Sequence, residues 1–321
     1  MGTVQSTYKK PSPKPREPTT HQVSYGTILN SQESKAVTYY HFPSMDKALP
    51  SQIDLRKSGQ GCYPYPAVKE QSLLSNCSSM AVTAAFQCVQ RLKLQTDPRG
   101  VNSDLVEPSA LYNYYFARKL MGTPHFDGGT TIEAALGAMM VGCASEEKWP
   151  YNPEMVNIPP STNAQVDSLN RTVTQTDILA PTLRNLKQCL ASGFPFLFTF
   201  FVTKQMDQWF RDKNQQVQSG YLLVVNEFSK ADIVGAHTVL VVGYDDTYLQ
   251  IGGFLCRNSW GAAFGDDGHF WFPYSDVTYP SLSGNFQIVR EVCASNKPTC
   301  VSSVDCQNFY AADVCSHTMY Q

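Results

Sequence analysis

The spacing of hydrophobic positions changes part-way along the chain. An apolar stripe repeats every fourth position at Met80, Ala84, Cys88 and Leu92, which is the period of an amphipathic helix. Similar patterns predict helices over residues 109–121 and 131–141. From about residue 190, short apolar runs predict strands at residues 194–202, 221–225, 238–244, 253–257 and 269–272. Helices in the first half and strands in the second predict an α+β fold of two subdomains with a cleft between them.

The two ends differ from this packed middle. Residues 1–21 are rich in Pro, Lys and Thr and have no apolar period, so we predict a disordered basic arm. Residues 22–48 read as an N-terminal extension, and the packed domain is predicted over residues 49–290. Residues 291–321 form a C-terminal tail that holds Cys293, Cys300, Cys306 and Cys315.

Charge and composition exclude several classes of function. The net charge of −2 provides no basic field, which argues against nucleic acid as a partner. The longest dense apolar run, residues 194–202, is far too short to cross a bilayer. No apolar segment follows the N-terminus, so we expect an intracellular, cytoplasmic protein without a secretory signal peptide. Structural disulfides are then not the default expectation for its ten cysteines.

One cysteine lies where it would be reactive. Cys77 follows Ser75 and Asn76, either of which could cap the first predicted helix. The free N–H groups and dipole of a helix N-terminus favour negative charge. A thiol at that position is therefore expected to ionise more readily than a free cysteine.

Four other residues could complete a nucleophilic site. His237 begins a predicted strand and could serve as the base for Cys77, while the amide of Asn258 could accept from its second ring nitrogen and fix the tautomer. Trp260 could keep water from that His–Asn bond. Gln71 could donate to the oxyanion that forms when the thiolate attacks a carbonyl.

These segments resemble the papain family of cysteine peptidases. The run from Arg257 to Gly261, RNSWG, resembles the family's asparagine segment, and the run from His237, HTVLVVGY, resembles its histidine strand. Cys77 follows Gln71 by six residues, which is the family interval. Lesser landmarks are the DLR run from Asp54, the DGG run from Asp127 and the WPY run from Trp149, so the resemblance covers about residues 49–290.

The resemblance implies further site residues. Gly128 and Gly129 match the stretch that runs alongside the substrate backbone. Thr130, Thr131 and Ala236 fall where the family lines a pocket for the second residue before the cut, and Trp260 borders the cleft. The family's fold places the active site between a helical and a β-rich subdomain.

The chain also departs from the family pattern. Around Cys77 the sequence reads LSNCS, so the family's neighbouring cysteine and aromatic residue are missing. His237 and Asn258 lie 160 and 181 residues after Cys77, beyond the usual interval of about 130 to 150. We expect surface loops around residues 152–180 and 203–233 to absorb the excess. The altered motif and short leader are similar to microbial and large-DNA-virus members.

The leader has two possible placements. It is too short for the helical propeptide of lysosomal members of the family. Residues 22–48 could lie in the cleft as a short inhibitory strap, but we expect them to pack on the back of the domain.

The implied function is hydrolysis of peptide bonds in polypeptide substrates through a Cys–His–Asn site and a thioester intermediate. No metal or organic cofactor is required for this chemistry. Two alternatives stay open. One is an acyl-transfer or amide-hydrolase relative with the same dyad, and the other is a catalytically silent or self-inhibited papain-like interaction module.

The N-terminus carries a separate signal. Gly2 and Ser6 fit the N-myristoylation pattern M-G-x-x-x-[ST]. One myristoyl chain binds membranes only marginally. A basic arm adds attraction to an anionic surface, and this one carries Lys9, Lys10, Lys14 and Arg16. The motif therefore predicts membrane association through a lipidated Gly2.

Overall fold

A computed structural model describes residues 24–27, 37–43, 48–96, 105–212 and 229–294. Several sequence predictions lie outside these ranges. They are the basic arm with Gly2, the strand over residues 221–225, and the tail cysteines Cys300, Cys306 and Cys315.

The first half of the described chain is helical, as predicted. The helices there are α1 (Cys77–Thr96), α2 (Ala110–Leu120), α3 (Ile132–Val141) and α4 (Thr162–Ser168). Ser109 and Thr131 cap α2 and α3 by accepting from the backbone N–H groups of Tyr112 and Ala134, the usual role of Ser and Thr at this position. Later in the chain come α5 (Leu183–Ala191), α6 (Lys204–Arg211) and the short α7 (Tyr274–Val277).

Within the described ranges, seven strands form one antiparallel sheet. They are β1 (Gln52–Asp54), β2 (Arg171–Ile178), β3 (Phe196–Thr203), β4 (Ile233–Asp245), β5 (Gly253–Arg257), β6 (His269–Pro273) and β7 (Ser283–Ala294). The strand order is β2-β7-β3-β4-β5-β6, and β1 pairs with β4. This mixture of helices and antiparallel sheet is the predicted α+β fold.

The sheet and the helices meet at the start of α1. Helix α1 packs against α2 and α3 on one side and against β4 and β7 on the other. From Cys77 to Gln90 every residue of α1 is buried, which explains why its apolar stripe is wider than one face. A helix buried on all sides has a fixed position, and so does the side chain at its N-terminus.

Three sequence predictions about the extent of the elements were wrong, one on the end of the domain and two on surface loops. The predicted end of the domain at residue 290 cuts through β7, which continues to Ala294. Residues 171–178 are not a surface loop but the edge strand β2, which pairs with β7. Residues 204–211 are also not a surface loop, because α6 buries Trp209 and Phe210. Sequence reasoning missed these elements because β7 and α6 mix polar and charged residues with the buried ones.

Most of the cysteines in the described residues are core thiols. Six are free and buried: Cys62, Cys77, Cys88, Cys143, Cys189 and Cys256. Cys293, near the end of β7, is disulfide-bonded.

No helix in the described part of the chain is both long and apolar enough to cross a membrane.

The N-terminal extension packs on the domain at two places. Residues 37–43 run beside the end of β2, where Tyr40 N–H donates to the carbonyl of Ile178 at 2.7 Å. The Arg290 guanidinium lies over the Tyr40 and Phe42 rings, 4.7 and 5.3 Å from their centroids. Residues 24–27 take a different course, through the cleft.

Candidate active site

Cys77 is the first residue of α1. The carbonyl of Asn76 accepts from the backbone N–H of Met80 at 3.0 Å, so the helix begins where the sequence predicted. The Asn76 side chain is held by Tyr151, whose hydroxyl donates to Asn76 Oδ1 at 3.3 Å and to the Gln71 carbonyl at 2.8 Å. Tyr151 thus ties the two segments that carry Gln71 and Cys77.

His237 lies in β4, on the strand that α1 packs against. It is opposite Phe200 of β3 in the sheet register and is fully buried. Its Nε2 and Asn258 Oδ1 are 2.9 Å apart. Asn258 Oδ1 also accepts from the Ser259 backbone N–H at 2.9 Å, which orients the amide. Since this oxygen only accepts, His237 Nε2 carries the proton and Nδ1 is left to face the thiol.

Asn258 and Trp260 follow β5 directly. The Asn258 N–H donates to the Gly268 carbonyl at 3.0 Å, which holds this turn against the loop before β6. The Trp260 indole is buried and stacks on the His237 ring, with centroids 4.8 Å apart. Trp260 therefore lies in a position from which it could keep water away from the His237–Asn258 hydrogen bond.

Gln71 lies beside the same turn. Its backbone N–H donates to the Ser259 carbonyl at 2.7 Å, and its Oε1 accepts from Ser259 Oγ at 2.5 Å. The side-chain Nε2 donates to the Leu74 carbonyl at 2.7 Å and, with its second hydrogen, to the Ser24 carbonyl at 3.2 Å. The amide thus already holds a peptide carbonyl oxygen in the cleft.

That carbonyl belongs to residues 24–27, which we call the cleft segment. Thr27 Oγ1 is 3.0 Å from Cys77 Sγ and 2.7 Å from Thr238 Oγ1. Thr27 N–H donates to the Ala236 carbonyl at 3.2 Å, and the Gly26 carbonyl accepts from Thr130 N–H at 2.9 Å. The expected packing on the back of the domain is therefore wrong for residues 24–27. These contacts reach far along the chain, so no local pattern reports them.

The cleft segment covers the thiol closely. The Cys77 and His237 side chains are both 0% exposed. A Cβ atom added to Gly26 would lie 2.0 Å from the Ser75 carbonyl oxygen. Only glycine allows this approach of two backbones.

The surroundings of Cys77 favour its thiolate. Burial by itself would raise the pKa of this thiol, but the charge of the His237 ring and the hydrogen bond with Thr27 lower it to about 7. Burial raises the pKa of Cys143 to about 12. The fold therefore distinguishes one activated thiol from a core thiol of the same residue type.

The predicted substrate-binding residues border the cleft segment. Gly129 has φ +88°, and a Cβ atom there would lie 1.9 Å from the Gly26 carbonyl oxygen. Gly128 precedes it, and a Cβ atom there would lie 2.2 Å from the Phe126 ring. Ala236, Thr130 and Trp260 contact the same segment through the bonds above and through the Tyr25 ring. Thr131 instead caps α3.

Sequence reasoning missed three residues at this site. Thr27 contacts the thiol, Tyr151 braces the segment around Gln71, and Asp207 accepts a hydrogen bond from Tyr25. The WPY landmark was the only sequence signal for any of them. Thr27 and Asp207 lie in segments whose relation to the site depends on the tertiary fold.

Comparison with known proteins assigns the family. A family profile described as papain family cysteine protease matches residues 49–279, which is most of the chain. The chain belongs to the papain family of cysteine proteases. A relative in this family is an uncharacterized peptidase C1-like protein of Acanthamoeba polyphaga mimivirus. It is 25% identical over 233 residues, which cover 70% of this chain and 69% of the relative.

Solved papain-family structures resemble this one. Xylellain, a cysteine protease from Xylella fastidiosa, superposes with a TM-score of 0.67 and 29% identity, covering 83% of this chain and 95% of its own. Procathepsin B S9 from Trypanosoma congolense superposes with a TM-score of 0.61 and 16% identity, covering 84% of this chain and 86% of its own. The second likeness is one of fold alone. The viral and bacterial relatives agree with the predicted similarity to microbial and large-DNA-virus members.

Proposed function

We propose that this papain-family protein hydrolyses peptide bonds with Cys77 as nucleophile, His237 as acid and base, and Asn258 as the residue that orients His237. The observation that carries the proposal is the meeting of these three side chains with the Gln71 amide in one cleft. The pKa of Cys77, lowered to about 7, supports a thiolate at neutral pH.

The first half of the reaction forms a thioester. The Cys77 thiol first gives its proton to His237 Nδ1, which leaves a thiolate beside an imidazolium. The thiolate attacks the substrate carbonyl carbon, and the carbonyl oxygen becomes an oxyanion held by Gln71 Nε2 and the Cys77 backbone N–H. The Ser24 carbonyl, bonded to Gln71 Nε2, marks where such an oxygen can be held. As the carbon–nitrogen bond breaks, His237 Nδ1 gives its proton to the leaving amine.

The second half restores the enzyme. His237 Nδ1 takes a proton from water, and the resulting hydroxide equivalent attacks the thioester carbon. The carbon–sulfur bond then breaks, releasing a carboxylic acid and regenerating the Cys77 thiolate. His237 keeps one orientation throughout, because Nε2 stays bonded to Asn258.

With the cleft segment in place, a substrate has no access to Cys77. We therefore propose that the described conformation is a latent one and that activity requires the cleft segment to leave. In this state the site is blocked sterically, but the side chains proposed for catalysis are all in place. Those side chains are Gln71, Cys77, His237 and Asn258.

Intact mass spectrometry tests the proposal on the full chain. A peptidyl epoxide should add once, at Cys77, in a Gly26→Ala variant whose cleft segment no longer fits. The same treatment should leave the Gly26→Ala, Cys77→Ala double variant unmodified. Iodoacetamide needs an accessible thiolate but no recognition of a peptide. A chain that iodoacetamide labels at Cys77 while the epoxide does not would favour the silent interaction module over an enzyme.

We also propose lipidation at Gly2, on the sequence motif alone. A clickable myristate analogue should label the wild-type chain and not a Gly2→Ala variant. The Gly2→Ala chain should also bind less to phosphatidylserine vesicles. Equal binding of both chains would contradict this proposal.

A further inference from the structure

The side chain of Tyr25 lies in a pocket of its own. Its ring makes edge contacts with His237 and Trp260, both with centroids 6.1 Å away, and lies 6.4 Å from the Phe210 ring. The fourth wall is Gly235, where an added Cβ atom would lie 2.8 Å from Tyr25 Cβ. We call this space the Tyr25 pocket. Glycine at position 235 keeps it open.

The far end of the pocket is polar. The Tyr25 hydroxyl donates to Asp207 Oδ1 at 2.6 Å. Arg211, one turn later on α6, donates from Nε to both Asp207 oxygens, at 3.0 and 2.9 Å. Burial raises the pKa of Tyr25, and the bond to Asp207 raises it further, so the phenol remains a neutral donor.

The pocket lies on one particular side of the nucleophile. In the proposed reaction His237 hands its proton to the leaving amine, so the leaving group lies on the His237 side of Cys77. Tyr25 occupies that side, against His237 and Trp260. Gly129 and Thr130, by contrast, contact the backbone of Gly26.

We propose that the Tyr25 pocket, lined by Phe210, Gly235 and Trp260 and closed by Asp207, selects a tyrosine on the substrate residue that supplies the leaving amine. The chain's own Tyr25 occupies this subsite in the described conformation. The inference rests on the proposed function and adds a specificity to it.

The chemistry of the pocket favours tyrosine over similar side chains. Phenylalanine would fill the aromatic walls but would remove the phenolic donor to Asp207 Oδ1, leaving Arg211 to bond this carboxylate without it, and the loss of a hydrogen bond to a charged group is costly. Lysine would bring a second cation next to Arg211, which already pairs with both carboxylate oxygens. A neutral aromatic side chain with a terminal hydroxyl packs against the aromatic rings of the pocket and also donates a hydrogen bond to Asp207.

One consequence is competition. A tyrosine-bearing substrate and the cleft segment would use the same hydrogen bond to Asp207. Weakening that bond should therefore loosen the cleft segment and lower the preference for tyrosine in parallel. Two separate experiments measure these effects.

The first experiment measures release of the cleft segment and needs no catalysis. Iodoacetamide labelling of Cys77 is timed in the wild-type chain and in the Tyr25→Phe, Asp207→Ala and doubly substituted chains. A hydrogen bond to a charged group is worth about 1.5–3 kcal/mol, so each single change should speed labelling roughly tenfold or more. The double change should add little. Equal rates in wild type and Tyr25→Phe would overturn the proposal, since this change removes only the hydroxyl that donates to Asp207.

The second experiment measures substrate choice in the full-length Gly26→Ala chain. Matched peptides carry Tyr, Phe or Lys at the residue after the cleaved bond. We expect kcat/KM for Tyr to exceed that for Phe by roughly tenfold, and Asp207→Ala to bring the two values together. Cleavage without a tyrosine preference would overturn the subsite and leave the peptidase proposal intact. If no peptide is cleaved, the proposed function fails, and the labelling rates still decide whether the pocket recognises the tyrosine hydroxyl.

Discussion

The indole of Trp260 lies flat over the imidazole of His237, with an angle of 24° between the ring planes. Because Trp260 is buried, it covers the bond between His237 Nε2 and Asn258 Oδ1. Hydrogen bonds strengthen electrostatically where water is excluded. The stacked pair therefore holds the imidazole in one tautomer and one orientation toward Cys77.

We predict that Asn258→Ala lowers kcat more than it raises KM. Losing a hydrogen bond to a group that becomes charged should cost about 1.5–3 kcal/mol, or roughly ten- to a hundredfold in rate. Steady-state kinetics in the Gly26→Ala background measure this. Trp260→Phe, which keeps an aromatic cover, should lose less. A Trp260→Phe chain slower than Asn258→Ala would contradict the shielding role.

Gln71→Ala should remove one oxyanion donor. The expected loss is roughly 10²–10³-fold in kcat, with little change in KM. Ser259→Ala is the matched control, because it removes the hydrogen bond to Gln71 Oε1 but keeps the amide donor. If both variants lost the same activity, Gln71 would act by holding the turn rather than by binding the oxyanion.

Gly26→Ala should displace the cleft segment. The added methyl group would lie 2.0 Å from the Ser75 carbonyl oxygen, so one of the two backbones must shift. We expect faster iodoacetamide labelling of Cys77 and a lower melting temperature, because the hydrogen bonds of the cleft segment to the domain are lost. Gly284→Ala is the control, because a Cβ atom there meets open space. Slow labelling in both variants would mean that access to Cys77 is limited elsewhere.

The reactivity of Cys77 should follow its lowered pKa. The thiolate is present above about pH 7 and is lost as the pH falls through that value, so the alkylation rate should fall in the same range. His237→Ala removes a lowering cause and leaves burial, so the midpoint should move upward. Rates of iodoacetamide labelling against pH measure both midpoints. An unmoved midpoint would show that His237 does not set this pKa.

Local sequence signals predicted much of the fold and of the reactive centre. The helices over residues 109–121 and 131–141 lie within one residue of α2 and α3, and the strand over residues 253–257 coincides with β5. Such elements depend on apolar spacing and capping within a few residues. The position of Cys77 at a helix N-terminus follows from the same signals.

Resemblance added what spacing could not. Cys77, His237 and Asn258 are far apart in the chain, and nothing in their separations requires them to meet. The motifs around them identified the papain family, and the family implied the meeting. The altered residues beside Cys77 did not disturb this, because the N-terminus of a buried helix and the β4 strand determine the geometry.

The sequence by itself therefore determined the fold class, the family and the candidate catalytic residues of this protein. Tertiary structure alone decided that residues 24–27 occupy the cleft and that Asp207 forms the floor of a pocket for Tyr25. Thr27 meets Cys77 from 50 positions away and Thr238 from 211 positions away. Contacts at such separations depend on how the whole sheet and helices pack. Residues 24–27 have no hydrophobic periodicity, so their local sequence does not predict these contacts.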